Sequence, residues 1–277
     1  MIDLLMYVFL GIIQGITEPI PVSSSGHILI FKTLIEKFMK NPINLEYDIF
    51  ATITNFGSFL AIFLIFRKEI FSLLGSFFKF IFKKEERKKE ASDFKYCMAI
   101  ILATIPAGIM GIIVTKLDLF EELEKDVRII GLMLIVTSMF LYIIKDFKGS
   151  KEKHDITYKN AFMVGLFQVV ALLPGISRSG ATIVGGMFQK LKRNVAFDFS
   201  FMLYMPISVA TMILGVKDLL ELNIGIKMMS YYFIGAFVSF IFTYIATLWF
   251  RNLVKNGKLS VFSIYCLIVG ILVIIGL

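Results

Sequence analysis

Two short stretches of this chain carry residue types that could do chemistry, and both interrupt apolar sequence. The first reads Gln14-Gly15-Ile16-Thr17-Glu18-Pro19-Ile20-Pro21-Val22-Ser23-Ser24-Ser25-Gly26-His27. The second reads Pro174-Gly175-Ile176-Ser177-Arg178-Ser179-Gly180-Ala181-Thr182. Ser/Gly turns that lead into helices present backbone N–H groups and a positive dipole end, which together seat an anion. Arg178 adds a planar fork matched to phosphate oxygens. Gln14 precedes Glu18 by four residues and so shares its helical face, and the pair offers oxygen ligands to a hard divalent cation such as Mg2+ or Ca2+. His27 follows Ser24 by three residues, a spacing that suits a general base beside a nucleophile. Anion seat, hard cation, nucleophile and base together describe phosphoryl transfer. A diphosphate whose lipid tail stays in the bilayer would explain such a site in apolar surroundings.

Each residue also has a plainer reading. Glu18 and Arg178 could be a buried ion pair that stitches two segments, the serines could be helix caps or small packing contacts, and His27 could simply be packed. Against this stands the cost of the charges, about 2.5–3.5 kcal/mol for each ionised side chain at the centre of a membrane helix. The coincidence of these residues at two matching interruptions favours function.

The elements that must position them are membrane helices. The chain is 57% hydrophobic and 18% charged, with a mean hydropathy of +0.81, outside the soluble globular range. A membrane-spanning helix needs about 20 apolar residues. The six clearest runs are Ile49–Phe66, Tyr96–Thr115, Arg128–Ile144, Phe199–Val216, Tyr231–Phe250 and Leu259–Leu277. Cys97 and Cys266 fall inside such runs and read as packing residues. The net charge of +8 is gathered in loops, as the positive-inside rule describes, so a nucleic-acid partner is not indicated. The basic loop 67–95 is assigned to the cytoplasm, with Phe71–Phe82 expected to lie along the inner membrane interface. The acidic loop Lys116–Val127 goes outside, and Lys145–Lys159 returns inside.

This alternation leaves Tyr158–Gln189 beginning and ending on the inside. It is broken at Pro174-Gly175, where the helix ladder cannot continue, so two half-length helices forming a re-entrant hairpin are expected. Leu4–Ile35, broken at Glu18-Pro19-Ile20-Pro21, is expected to do the same from the outside. A constant offset of 154 residues aligns Gly11 with Gly165, Gln14 with Gln168, Ser23 with Ser177, Ser25 with Ser179 and Gly26 with Gly180. The expected fold is an all-α polytopic membrane protein, one domain over 1–277. It has two inverted-topology repeats, about 1–146 and about 158–277, each a re-entrant helical hairpin plus three transmembrane helices. Both termini are placed outside. Broken helices in inverted repeats put polar sites near the midplane, where irregular backbone is tolerated only around protein or a wet cavity.

The two motifs resemble the undecaprenyl-diphosphatase family, also called bacitracin-resistance proteins. That family shows Glu or Gln, three residues, then Glu running into Pro-Val-Ser-Ser-Thr/Ser-Gly-His, and later Pro-Gly-x-Ser-Arg-Ser-Gly-Ala-Thr. Here the matching residues are Gln14, Glu18, Pro21, Ser23, Ser24, Gly26 and His27, then Pro174, Gly175, Ser177, Arg178, Ser179, Gly180, Ala181 and Thr182. The resemblance implies hydrolysis of undecaprenyl diphosphate in the bacterial plasma membrane, recycling the carrier lipid of cell-wall synthesis. It implies Glu18, Ser24, His27 and Arg178 as catalytic candidates, with Gln14 and Glu18 holding the metal or the diphosphate. Ser23, Ser25, Gly26, Ser177, Ser179, Gly180 and Thr182 would line the substrate site. Asn55, ahead of Gly57-Ser58, stands where the family usually has Gln and joins that set. Pro19 replaces the common Phe, and Gln14 stands where many members have Glu, which removes one ligand charge.

Two other readings compete. Type-2 phosphatidic-acid phosphatases also carry Ser-Gly-His and Ser-Arg fragments but use a histidine downstream of the arginine; here no histidine follows Arg178. A transporter or flippase of an anionic lipid or small anion would suit inverted repeats, since fold does not fix function, but it has no need of a Ser–His pair. Trp249 and the Phe-rich faces suit lipid anchoring or a homodimer contact.

Overall fold

The computed structural model describes residues 2–39, 47–117, 119, 123, 126–221 and 225–277. Its elements are helices: α1 (Ile2–Thr17), α2 (Ser24–Met39), α3 (Tyr47–Phe82), α4 (Arg87–Lys116), α5 (Val127–Ile144), α6 (Tyr158–Val170), α7 (Arg178–Phe188), α8 (Arg193–Glu221), α9 (Ile226–Lys255) and α10 (Ser260–Gly276). Among the described residues, five stretches, in α3, α4, α5, α8 and α9, are long and apolar enough to cross a membrane. They coincide with five of the six expected spans. The sixth, α10, has 17 residues, about 26 Å at 1.5 Å per residue. This is a polytopic membrane architecture. The polar residues 40–46 and the loop acids Asp118, Glu121, Glu122 and Glu124 lie outside the described residues.

Both expected interruptions are present. Chain leaves the helical path at Glu18 and re-enters it at Ser24, and leaves again after Val170 to re-enter at Arg178. At the first, Pro19 and Pro21 remove backbone donors. At the second, Pro174 is followed by Gly175 at φ +90°, a conformation open to glycine because it has no Cβ. The helices on either side are short. α6 has 13 residues and α7 has 11, about 20 and 17 Å, against a hydrocarbon core of about 30 Å.

Small residues let the helices approach closely, as membrane bundles require. In α1 a Gly-x-x-x-Gly pair, Gly11 and Gly15, lies on α9. A Cβ on Gly11 would come within 2.6 Å of the Gly235 carbonyl oxygen, and one on Gly15 within 2.7 Å of the Ser239 oxygen. Gly165 of α6 meets Ala103 of α4 in the same manner, at 2.5 Å. Gly131 of α5 and Gly270 of α10 lie backbone to backbone, and beside them Ser138 and Ser263 exchange hydrogen bonds with each other's carbonyls. Between α3 and α9, Ser58 bonds to Ser239 and Thr243 at 2.8 and 2.9 Å. Cys97 and Cys266 are free thiols within the packing.

One element differs from expectation. Phe71–Phe82 does not separate from the span before it; α3 continues through all 36 residues, about 54 Å. It turns back through a short 3-10 segment, Lys84–Glu86, into α4. The reason is local pairing with the start of α4. Phe80 and Phe77 stack on Phe94 with centroids 4.0 and 5.5 Å apart, and Lys79 pairs with Glu86 and Glu90. A run with large apolar residues and no proline has every reason to remain helical when a partner helix covers one side.

A close approach between two helices gives a test. A Cβ on Gly57 would sit 2.1 Å from the Ala236 carbonyl oxygen, whereas Gly75 has nothing within 4 Å. Gly57→Ala should therefore destabilise by about 1–3 kcal/mol through forced separation of α3 and α9. Gly75→Ala should be neutral or stabilising, since Ala is the better helix former by roughly 0.5–1 kcal/mol. Thermal unfolding of the two variants in detergent checks this; equal Tm values would contradict the packing described.

Candidate functional site

The two interruptions touch. A Cβ on Gly180 would come within 3.2 Å of Pro21 Cβ, and one on Gly26 within 3.4 Å of Gly175 Cα. Ser179 donates its hydroxyl to the Ile20 carbonyl at 3.2 Å. Each turn closes into its following helix by the same device. Ser23 Oγ accepts from the Gly26 N–H at 3.4 Å, and Ser177 Oγ accepts from the Gly180 N–H at 3.2 Å. Serine is a favoured N-cap because its oxygen satisfies an amide that the helix leaves unpaired. Ser23 also adopts φ +68°, a left-handed conformation costing about 1–2 kcal/mol for a residue with a Cβ. That kink sets the direction in which Ser24 leaves the turn.

Between the turns lies a cavity of about 340 Å³. Gln14, Glu18, Ser23, Ser24, Ser25, Asn55, Ser177, Arg178 and Ser179 all border it, together with Thr17, Thr52 and Thr211. At its centre is Glu18. One carboxylate oxygen pairs with the Arg178 guanidinium. The other accepts from Ser24 Oγ at 2.5 Å and from Gln14 Nε2 at 3.0 Å. Glu18 is only 9% exposed, so the charge is offset by these partners rather than by bulk water. Breaking a buried pair by removing one member costs about 3–5 kcal/mol, because the other charge stays behind unpaired.

Arg178 is held from a second side. Its Cζ lies 4.2 Å from the centroid of the Tyr204 ring, and Tyr204 donates its hydroxyl to Asn55 Oδ1 at 2.9 Å. α3, α7, α8 and the first turn thereby meet in one polar chain, from Asn55 through Tyr204 and Arg178 to Glu18.

Four candidates stand away from the cavity. Gly26 and Gly180 serve the contact between turns. Thr182 bonds back to the Arg178 carbonyl at 2.9 Å and meets Ser200 at 2.6 Å. The fourth, His27, is placed differently from its spacing-based position beside Ser24. Its Nδ1 lies 2.8 Å from the Ser23 carbonyl oxygen and its Nε2 2.8 Å from the Tyr265 hydroxyl. The two rings stack, 5.6 Å between centroids and 13° between planes. Both imidazole nitrogens are thus occupied, while the Ser24 hydroxyl faces Glu18.

Sequence reasoning did not find Tyr204, Tyr265 or Thr137, which accepts from the Ser177 N–H at 3.3 Å. The available signal was a hydroxyl inside an apolar span. Tyr204 is the only tyrosine in Phe199–Val216, though nothing in spacing links it to residues 26 or 149 positions away.

Comparison with known proteins covers nearly the whole chain. The family model described as bacitracin resistance protein BacA matches residues 7–272. Undecaprenyl-diphosphatase 2 of Bacillus thuringiensis is 40% identical over 276 residues, covering 99% of this chain and 98% of that protein. Undecaprenyl-diphosphatase of Oceanobacillus iheyensis is 40% identical over 272 residues, 98% and 96% of the two chains. Undecaprenyl-diphosphatase 1 of Halalkalibacterium halodurans is 37% identical over 271 residues, 98% and 95%.

The partners of His27 and Ser24 predict different variant behaviour. His27→Ala removes the bonds from its ring to the Tyr265 hydroxyl and the Ser23 carbonyl, about 0.5–1.5 kcal/mol each; the Ser23 carbonyl keeps the backbone N–H of residue 27. The substitution should lower thermal stability as well as activity. Ser24→Ala should lower activity far more steeply than its stability loss, which is limited to its one bond to Glu18, while Gln14 and Arg178 still hold the carboxylate. A His27→Ala protein as stable as wild type would show that these contacts do not hold the turn.

Proposed function

The chain belongs to the bacitracin resistance protein BacA family, and from that premise we propose that it is an integral-membrane phosphatase. It hydrolyses undecaprenyl diphosphate to undecaprenyl phosphate and inorganic phosphate, recycling the carrier lipid of cell-wall synthesis. The observation that carries this reading is the meeting of the Ser24 hydroxyl, the Glu18 carboxylate and the Arg178 guanidinium in one cavity between two helix interruptions. The relatives named above are called undecaprenyl-diphosphatases, and an anionic headgroup with an apolar tail suits a polar cavity set in a membrane bundle.

Each residue has a part in the proposed reaction. Without substrate, Arg178 rests on Glu18. The terminal phosphate of the diphosphate draws one guanidinium edge onto its oxygens, with the Ser177 and Ser179 hydroxyls beside it. Glu18, released from part of its ion pair, accepts the Ser24 proton as Ser24 Oγ attacks the terminal phosphorus. The bond from that phosphorus to the bridging oxygen breaks, and undecaprenyl phosphate leaves carrying the proton from Glu18. Water then gives a proton to the freed Glu18 carboxylate and attacks the same phosphorus; the bond to Ser24 Oγ breaks, inorganic phosphate leaves, and the proton on Glu18 returns to Ser24. His27 holds the turn that aims Ser24, through the Ser23 carbonyl; a role as base would require it to leave Tyr265.

The donor set fits a hard divalent cation only in company with substrate. Glu18 is a single carboxylate, and Gln14 and Ser24 add neutral oxygens. Mg2+ is commonly held by one or two carboxylates together with phosphate oxygens, and here Gln14 and Glu18 would hold Mg2+ or Ca2+ that arrives with the diphosphate. Such an ion supplies neutralisation of phosphate charge.

The architecture belongs to the same proposal. Residues about 1–146 and about 158–277 form two inverted repeats within a single membrane domain. The hairpins α1–α2 and α6–α7 enter the plasma membrane from opposite faces, and both termini are outside. The offset of 154 residues supports this. So do the paired contacts of α1 with α9 and α6 with α4, the matching serine caps, and the α5–α10 crossing at Gly131 and Gly270. A homodimer is included, carried by the Phe-rich outer faces around Trp249.

Phosphate release from a C15 or C55 prenyl diphosphate tests the assignment. Glu18→Gln and Arg178→Ala should each lower kcat/KM by about 10²–10⁴, the usual range for a general base or a transition-state donor. Chelation should lower the rate, and added Mg2+ or Ca2+ should restore it. Absence of turnover by folded wild-type protein, with prenyl diphosphate still crossing the bilayer of proteoliposomes, would favour a flippase instead.

A further inference from the structure

We infer that Tyr204 is a positioning residue which sets both Arg178 and Asn55 for diphosphate binding; this rests on the reading of the cavity as a diphosphate site. Tyr204 is 3% exposed and sits in α8, away from both motifs. Its ring face lies under the guanidinium, with Arg178 Cζ 4.2 Å from the centroid. A guanidinium with one face covered offers ligands through its edges, in the plane where its donors point. One of those edges is on Glu18, and Arg178 borders the cavity, so the stacked ring fixes the plane in which the guanidinium can meet phosphate oxygens. Phe59 backs the ring, 6.4 Å away between centroids, which limits tilting.

The hydroxyl does a second task. It donates to Asn55 Oδ1 at 2.9 Å. With its oxygen engaged, Asn55 has its two amide N–H donors left for other partners, and it borders the same cavity. An amide held the other way round would offer an acceptor to an anion, which repels it. One buried tyrosine therefore controls the plane of the charged donor and the polarity of a neutral one. A packing residue at this position would need no hydroxyl, and phenylalanine, the commonest aromatic in this chain with 29 occurrences, would suffice.

The two functions separate by substitution. Tyr204→Phe keeps the ring and loses the Asn55 tether; Tyr204→Leu loses both. The readouts are KM and kcat for a prenyl diphosphate, inhibition by inorganic diphosphate, calorimetric binding of inorganic diphosphate, and Tm in detergent. Tyr204→Leu should raise KM and the inorganic diphosphate constants together by about 100-fold, the scale on which small misplacements act, with kcat changing less. Tyr204→Phe should raise them by only several-fold, and adding Asn55→Ala to it should change them little further. If Tyr204→Leu does not fold, the Phe variant and the Asn55→Ala combination decide the matter through the same constants. Unchanged diphosphate constants in folded variants, with activity tracking the folded fraction alone, would overturn the inference. So would Tyr204→Phe and Asn55→Ala effects that simply multiply. Calorimetry keeps this separate from the functional reading: wild type that binds inorganic diphosphate without hydrolysing prenyl diphosphate defeats the phosphatase assignment, and the variants still report on Tyr204.

Discussion

Glu18 and Arg178 stand 160 residues apart in the chain, each at a break in a helix, and close an ion pair on the wall of a cavity within the bundle, the Glu18 side chain buried and that of Arg178 26% exposed. Leaving either charge without its partner in such surroundings is costly. The pair can form only if the two interruptions reach the same depth and touch. Much of the remaining structure serves that condition. Glycines on α1 and α6 bring the hairpins against α9 and α4, the two serine caps close the turns in the same way, and Ser179 ties one turn to the other through Ile20. What holds the two turns together and what lines the polar cavity between them are largely the same residues.

The pair also explains why the cavity is polar without being saturated. A carboxylate has room for several hydrogen bonds, and Glu18 divides them among a cation, a hydroxyl and an amide. In the proposed reaction an anionic ligand would compete for the cation and free the carboxylate to act on the hydroxyl, so that one side chain would couple binding to activation. The positive φ at Ser23 is consistent with this economy: local backbone strain holds Ser24 in place, and strain of this kind persists where surrounding contacts over-determine it. His27, bonded to the Ser23 carbonyl and stacked on Tyr265, is one of those contacts.

Much of this was legible in the sequence because membranes make the code simple. Pro19, Pro21, Pro174 and Gly175 announced the breaks, apolar runs announced the spans, and a charge at each break marked the residues that meet. What stayed hidden depended on pairing between distant segments. The spacing of Ser24 and His27 suggested that they share a helix face, but φ at Ser23 and the ring of Tyr265, 238 residues away, decide where the imidazole goes. Basic and aromatic content suggested that Phe71–Phe82 would leave the span; its stacking on Phe94 in the next helix keeps α3 continuous. Tyr204 carried no motif, because its partners Asn55 and Arg178 come from two other helices.

The most direct measurement is a double-mutant cycle on thermal stability in detergent, using Glu18→Gln, Arg178→Gln and the double variant. If the buried pair is what joins the two interruptions, each single variant strands a charge. The double variant should then be more stable than the sum of the single effects, by a coupling of at least about 1 kcal/mol. Additive losses would mean that the two charges do not sense each other, and the two turns would then need some other reason to meet.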